Sequence, residues 1–421
     1  MTKDIPYVES LPPHWSIVQN RFLFHYDGYK VGEAHSDYQL LSLTTGGVKE
    51  RNINASGGKV PTSYDNYQTV KKGQMVFCLF DLDCSAVFSG ISNYDGMITS
   101  AYDVFSSTEM MDNGYADYWF KYVFSNRYYK IFSKSIRYTI TGDMFRSLKT
   151  PVPPLEEQRR IGAFLLEQET KIDTLIANAQ VQIEKLKAYK QSVITEVVTK
   201  GLDSTVPMKD SGVEWLGRVP QHWGVYRIAN LYAERSESGL PELPLLTVSI
   251  NTGVSDHEVD DSDKGRVFIR MEDRTKYKRV CPGDLTYNMM RAWQGAFGAV
   301  RVDGLVSPAY VVAKPKNEIP LDSRYIEALL RTPVAIEEMH RYSRGIIDFR
   351  LRLYWPEFKN IQICLPPLDE QTQIADYIDE LASKVDSLIA IKQAKIEKLE
   401  QYKRSLIYEY VTGKKEVPAH T

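Results

Sequence analysis

Cysteine is scarce in this 421-residue chain. Cys78, Cys84, Cys281 and Cys364 show neither the Cys-x-x-Cys spacing of structural zinc nor the paired framework of a secreted disulfide scaffold, and are expected as buried thiols. The seven histidines form no His-x-x-x-His ligand pair, which leaves metal catalysis without a foothold. No stretch reaches the ~18 to 20 uninterrupted apolar residues of a membrane span, and Met1 to Leu11 has no apolar core behind a basic start. A cytoplasmic chain is the expectation. The Gly-x4-Gly-Lys-Ser/Thr loop of an ATP motor is missing, as are the Asn/Asp-Pro-Pro-aromatic loop and glycine-rich turn of an amino-methyltransferase. The Glu-x-Lys triplet of metal-dependent nucleases occurs as Glu169-Thr170-Lys171 and Glu357-Phe358-Lys359. The first falls on the polar side of an amphipathic helix and the second has no acidic partner in a strand-like context, so both read as structural. An excess of one charge is missing too: the net charge is −2, which does not by itself suggest a nucleic-acid partner. The average conceals a local bias, because residues 261–360 carry 18 Lys and Arg against 13 Asp and Glu.

A chain this long exceeds one ordinary core, and it contains an internal repeat. Pro153-Pro154-Leu155-Glu156-Glu157-Gln158 returns 213 residues later as Pro366-Pro367-Leu368-Asp369-Glu370-Gln371, and 24 of the 47 positions from Pro153 to Thr199 are identical to their partners. Two prolines followed by acidic residues mark a helix N-terminus, so helices should begin near Leu155 and Leu368. Apolar columns recur every eleven residues: Ile161, Ile172, Ile183, Ile194 with Phe164, Leu175, Leu186, Val197 in one copy, and Ile374, Val385, Ile396, Ile407 with Tyr377, Leu388, Leu399, Tyr410 in the other. Eleven residues in three turns keeps such a stripe nearly straight. A rod of roughly 65 Å cannot bury its stripe alone, and the other copy is the obvious partner. Periodicity does not reveal whether the two lie parallel or antiparallel.

A weaker duplication precedes each helix. Leu11-Pro12-Pro13-His14-Trp15 corresponds to Val219-Pro220-Gln221-His222-Trp223, Lys72-Gly73-Gln74-Met75-Val76-Phe77 to Pro282-Gly283-Asp284-Leu285-Thr286-Tyr287, and Asp95-Gly96 to Asp303-Gly304. The symmetry of His14 and His222 before their tryptophans suggests packing. Between these landmarks the copies differ almost everywhere, the pattern of one scaffold carrying loops of different specificity. Residues 200–216, with Gly201, Pro207 and Gly212, read as the linker between the first helix and the second domain.

Binding groups are easier to nominate than catalytic ones. Arg and Lys suit phosphates, and Arg, Asn and Gln suit base edges. In the second domain Asn288, Arg291 and Trp293 share a loop after an expected strand end, and Arg344 and Arg350 follow in a second basic segment. The counterparts expected in the first domain are Thr45, Lys49 and Arg51, the Ser56–Lys59 loop with Lys59, and Lys134 with Arg137.

The Pro-Pro-Leu-Glu/Asp-Glu-Gln opening, the Tyr-Lys-x-Ser-x-Ile-x-Glu-x-Val-Thr helix ending, and Ser211-Gly212-Val213-Glu214-Trp215-Leu216-Gly217 ahead of the second Pro-x-His-Trp resemble the specificity subunit of type I restriction-modification enzymes over essentially the whole chain. The resemblance implies two α/β (α+β) recognition domains, each a small mixed sheet with flanking helices. Their expected limits are 1–152 and, with the linker, 201–365, followed by spacer helices over 153–200 and, with a C-terminal tail, 366–421. It further implies that the helices pack antiparallel about a pseudo-twofold axis and that each domain reads one half of a bipartite double-stranded DNA target. Two methyltransferase subunits would dock on this frame and two restriction subunits would join them. S-adenosylmethionine, ATP and magnesium would then belong to the partners, with no catalysis in this chain, and the isolated chain would bind DNA weakly and in a salt-sensitive way. A coiled-coil adaptor that binds proteins rather than DNA explains the helices and the charge, but not the paired, diverged domains with Arg-bearing loops.

Overall fold

The computed structural model describes residues 5–52, 63–133, 138–258, 273–316, 318–345 and 351–418. They form two compact units, one of Met1–Gln180 with Gln393–Thr421 and one of Val181–Lys392.

The two long helices begin where the paired prolines place them, at Leu155 and Leu368, and run to Lys200 and Val411. Acidic residues occupy both first turns, where the helix dipole favours them. Gly201 and Gly413 follow the two C-termini at φ of 80° and 68°, a left-handed conformation that glycine adopts without a Cβ penalty. Within each unit the helix segments are antiparallel. In the first, Lys403 Nζ lies 2.8 Å from Asp173 and the rings of Phe164 and Tyr410 are 4.7 Å apart. In the second, Lys190 reaches Asp386 at 2.6 Å and Lys392 reaches Gln182 at 2.6 Å. In the first apolar column Ile161, Ile172, Ile183, Ile374 and Val385 are buried, and Ile194, Ile396 and Ile407 half-buried. The second column departs from expectation in part: Val197 and Tyr410 are buried, but Leu175, Tyr377 and Leu388 are exposed. A helix pair buries one narrow seam, and these positions rotate out of it.

Both units are built on the same four-stranded sheet. In the first its strand order is Phe24–Tyr26, Asp103–Ser107, Met75–Phe77, Ser89–Ile91; in the second it is Tyr232–Glu234, Tyr310–Pro315, Leu285–Asn288, Phe297–Ala299. The ladders are antiparallel, and the parallel pairings among the described residues are isolated bridges such as Leu40 with Met97 and Leu245 with Leu305. The sheets are therefore less mixed than expected, because short connections favour antiparallel neighbours over parallel crossovers. A further pair closes each domain: Ser16–Gln19 on Lys149–Val152, and Gly224–Arg227 on Gln362–Leu365. This pairing brings the start of each domain to the prolines that open its helix.

The first core is aromatic, with Phe77 packed 4.9 Å from Phe120 and 4.7 Å from Phe145 between the sheet and the helix Asn113–Ser125. The second sets Tyr287, Phe297 and Phe358 within 5.6 Å of one another, beneath the helix Ser323–Leu330. Of the four thiols, Cys78 and Cys364 are buried as expected. Cys84 is exposed and Cys281 half-buried, against expectation. Among the described residues no helix is long and apolar enough to cross a membrane.

Candidate nucleic-acid interface

The repeated motifs fix each domain to a helix. Glu157 accepts hydrogen bonds from the Trp15 indole at 3.1 Å and pairs with His14 at 2.9 Å; Glu370 does the same for Trp223 at 3.1 Å and His222 at 2.7 Å. The tryptophans are packed, whereas the two histidines expected to pack stand about half exposed and pair with the carboxylate instead. The adjoining glutamine is buried in both units. Gln158 accepts from the Asp112 amide and donates to the carbonyls of Met110 and Pro153; Gln371 accepts from the Asp322 amide and donates to Pro320 and Pro366. Asp112 and Asp322 are the N-caps of the two domain helices, so one side chain joins a domain helix to a spacer helix.

The first Glu-x-Lys triplet lies elsewhere than on an open polar face. Glu169 accepts from the Tyr118 hydroxyl at 2.7 Å and pairs with Lys121 at 3.1 Å and Lys403 at 2.9 Å. Burial alone would raise its pKa; the two ammonium groups and the phenol outweigh burial and bring it down to about 2. In the second triplet Glu357 pairs with Arg344 at 2.8 Å. Both are structural, as the sequence suggested.

In the first unit, Leu41–Thr44 and Gly47–Glu50 form a hairpin. Its tip turns at Gly47, φ 85°, and the Thr44 hydroxyl accepts from the Gly46 amide while donating to the Gly47 carbonyl. Thr45 and Lys49 stand exposed on it, and Arg51 follows half-buried, with its amide on Leu40 O. Lys59, Lys134 and Arg137 lie outside the described residues, as does Arg350 in the second domain.

In the second unit, the strand Leu285–Asn288 ends where the loop was expected to start. Asn288 Oδ1 accepts from the Met290 amide at 3.0 Å, and Arg291 is exposed at the turn. Trp293 is half-buried, with its indole N–H on Met290 O and its ring edge-on to His340 at 5.8 Å, so it braces the loop. The Met289 carbonyl accepts from Leu353, and Arg344 and Arg352 exchange main-chain bonds. The loop of Asn288, Arg291 and Trp293 and the segment of Arg344 therefore share one edge. Arg344 is 74% exposed despite its carboxylate partner.

Two loop equivalences differ from the expected ones. The topological counterpart of the Asn288–Gln294 loop is not the Thr45 hairpin. It is the connection 78–88 after Met75–Phe77, which carries Asp81 and Asp83 and is held by Arg127, whose guanidinium donates to Leu82 O and Ser85 O. The counterpart of the Thr45 hairpin is a second-domain hairpin, Val248–Ser249 with Gly253–Val254, whose tip exposes Asn251 and Thr252. Aligning Leu245-Leu246-Thr247-Val248 with Leu40-Leu41-Ser42-Leu43, and Gly253-Val254 with Gly47-Val48, would have found it.

Comparison with known proteins agrees with this frame. A family model described as the type I restriction modification DNA specificity domain matches residues 307–401, from the last sheet strand into the second long helix. The chain is 25% identical over 286 residues to the type I restriction enzyme MjaVIII specificity subunit of Methanocaldococcus jannaschii, covering 64% of this chain and 63% of that protein. It is 23% identical over 256 residues to the EcoBI specificity subunit of Escherichia coli, covering 56% and 52%. The chain is thus similar to type I restriction enzyme specificity subunits over part of its length. Its fold agrees over nearly the full length with two solved structures. A chain from a study of complex assembly and conformational transition of the type I R-M system matches with a TM-score of 0.67 at 15% identity, covering 96% of this chain and 99% of that one. The HsdS subunit of Thermoanaerobacter tengcongensis matches with a TM-score of 0.54 at 16% identity, covering 97% and 98%. The chain spans less than two thirds of the length of the curated specificity subunits it matches.

Proposed function

We propose that this chain is the DNA sequence-specificity subunit of a type I restriction-modification complex, a cytoplasmic component without catalysis of its own. Domains over 1–152 and 201–365, the latter with its linker, each read one half of a bipartite target, and the long helices within 153–200 and 366–421 set the spacing. The observation that carries the reading is one frame built twice, the same Glu, Gln and Trp contacts recurring in both units beneath loops that share almost no residues. The reading places Thr45, Lys49, Arg51, Lys59, Lys134 and Arg137 on one half-site and Asn288, Arg291, Arg344 and Arg350 on the other. Trp293 shapes the second loop.

Two methyltransferase subunits dock on the helices, and two restriction subunits join them. The helix surfaces support a pair of equivalent docks. Leu175 and Tyr402 are 46% and 53% exposed in one unit, and their repeat equivalents Leu388 and Tyr189 are 47% and 54% exposed in the other. The Asp173–Lys403 and Lys190–Asp386 pairs put each Leu and Tyr at one level of the helix pair. S-adenosylmethionine, ATP and magnesium belong to those partners. The test is duplex binding by the complex reconstituted with its methyltransferase. Arg291→Ala with Arg344→Ala abolishes specific binding while assembly persists; unaltered binding favours the protein-adaptor alternative.

A further inference from the structure

The domain helices Asn113–Ser125 and Ser323–Leu330 are equivalent, and position by position they keep an ion pair one turn apart: Asp117 with Lys121 at 3.1 Å, Glu327 with Arg331 at 3.2 Å. The cations then diverge. Lys121 turns to the spacer helix and pairs with Glu169 at 3.1 Å. Arg331 turns to the hairpin tip, where one guanidinium nitrogen donates to Ile250 O at 3.0 Å and Asn251 O at 2.6 Å.

The rest of the hairpin is seated on the same pair. Gly253 returns from the tip at φ 74°, and a side chain there would run into both Glu327 and Arg331. Gly298 on the adjoining strand lets the Val254 amide approach. In the first unit the matching Gly47 rests against Gly90 of the four-stranded sheet, where a Cβ would meet the Gly47 Cα at 2.9 Å. Beside the second hairpin lies a cleft of about 720 Å3 lined by Gln191, Asn251, Gln294, Arg301 and Arg331, so packing from that side is sparse. Guanidinium geometry suits this double grip. A planar fork holds the Glu327 carboxylate with one nitrogen and two carbonyls with another, which a lysine ammonium cannot reproduce in one plane.

We infer that Arg331 is a positioning residue for sequence readout by the second domain, presenting Asn251 and Thr252 at the hairpin tip to the DNA. Burial pushes the Glu327 carboxyl upward, with the Arg331 charge opposing it, so the pair is a partly desolvated support. The inference rests on the specificity reading above and adds the hairpin as a reading element and Arg331 as its support. Lys121, at the same position of the duplicated helix, serves anchoring instead.

The experiment is selection of bound duplexes from a library randomised in both half-sites, using the full chain assembled with its methyltransferase, for the native sequence, Arg331→Ala, Arg331→Lys and Lys121→Ala. Base preference in one half-site is expected to fall about tenfold or more at one or two positions in Arg331→Ala, the scale of one good base contact. The other half-site keeps its preference, and Arg331→Lys shows partial recovery. Lys121→Ala lowers thermal stability without changing base preference. Unchanged preference in both halves by assembled Arg331→Ala and Arg331→Lys complexes overturns the inference, and so does an equal loss in both halves. If Arg331→Ala fails to assemble, Arg331→Lys decides alone by the same criterion. A native complex that selects no bipartite sequence overturns the specificity reading itself, a distinct failure.

Discussion

The Tyr325 hydroxyl donates to the main-chain carbonyl of Val198, 2.9 Å away, in the last turn of the first spacer helix. Its counterpart Tyr115 reaches Val411 O at 3.3 Å in the last turn of the second, and the two phenols also contact Cys364 O and Pro151 O on the domain-closing strands. Each domain is thereby bound to a helix end whose carbonyls have no partner in the helix. Tyr115→Phe should cost about 1 to 3 kcal/mol by leaving the Val411 carbonyl unpaired, and Tyr325→Phe less, because the Cys364 thiol still reaches Val198 O at 3.7 Å. Denaturant unfolding of the single variants checks this, with the denaturant dependence unchanged.

Removing the motif glutamine should be worse. Gln158→Leu leaves the Asp112 amide and two carbonyls without their partner in a buried junction, and Gln371→Leu does the same around Asp322. A loss of about 3 kcal/mol or more is expected from such multiple unsatisfied groups. Amide exchange should rise first at the N-termini of the helices Asn113–Ser125 and Ser323–Leu330.

The Glu169 network predicts a pH dependence with a definite sign. Its folded pKa of about 2 lies below the ordinary 4.5, so its stabilisation is full above the ordinary value and lost as pH falls toward 2. Glu169→Gln should destabilise the protein by up to about 3 kcal/mol at neutral pH. The gap between native and variant closes on acidification between these two values. A gap that stays constant from about pH 6 to about pH 3 would show that the network does not hold a charged Glu169.

Arg344 carries an internal competitor, the half-buried Glu357 at 2.8 Å. Under the proposed DNA-reading role of Arg344, releasing it through Glu357→Gln should tighten DNA binding by the assembled complex, because no carboxylate would then have to be exchanged for a phosphate. For Arg291→Ala, a phosphate role lowers the slope of log K against log salt by about 0.9. A base role instead relaxes one target position by about 1 to 3 kcal/mol. Salt titrations with specific and scrambled duplexes separate the two.

The frame was legible because it is duplicated. The Pro-Pro boundary, the acidic first turn and the eleven-residue columns located both helices, and the His-Trp landmarks paired the domains from residue order alone. Loop equivalence was harder, since it depends on strand order. Strand order sets the 78–88 connection against Asn288–Gln294, and the ladder makes a hairpin of Val248–Ser249 with Gly253–Val254, equivalences that the aligned repeat residues also carry. The role of Trp293 was hidden for a similar reason, because its indole partner is a main-chain carbonyl three residues away. The polar side of the first helix misled at Glu169, whose partners Tyr118 and Lys121 come from a helix about fifty residues earlier in the chain.

Two diverged loop sets on one repeated frame should read two half-sites, and methylation in a living cell reports on both at once. The decisive experiment expresses this chain with its methyltransferase in an unmethylated host and maps methylated adenine across the genome. A bipartite motif with a fixed unread gap is expected, appearing only when this chain is present, and its second half alone should change when the second domain's loops are exchanged. A stable complex that methylates without sequence preference, or a motif indifferent to those loops, would contradict two-domain readout.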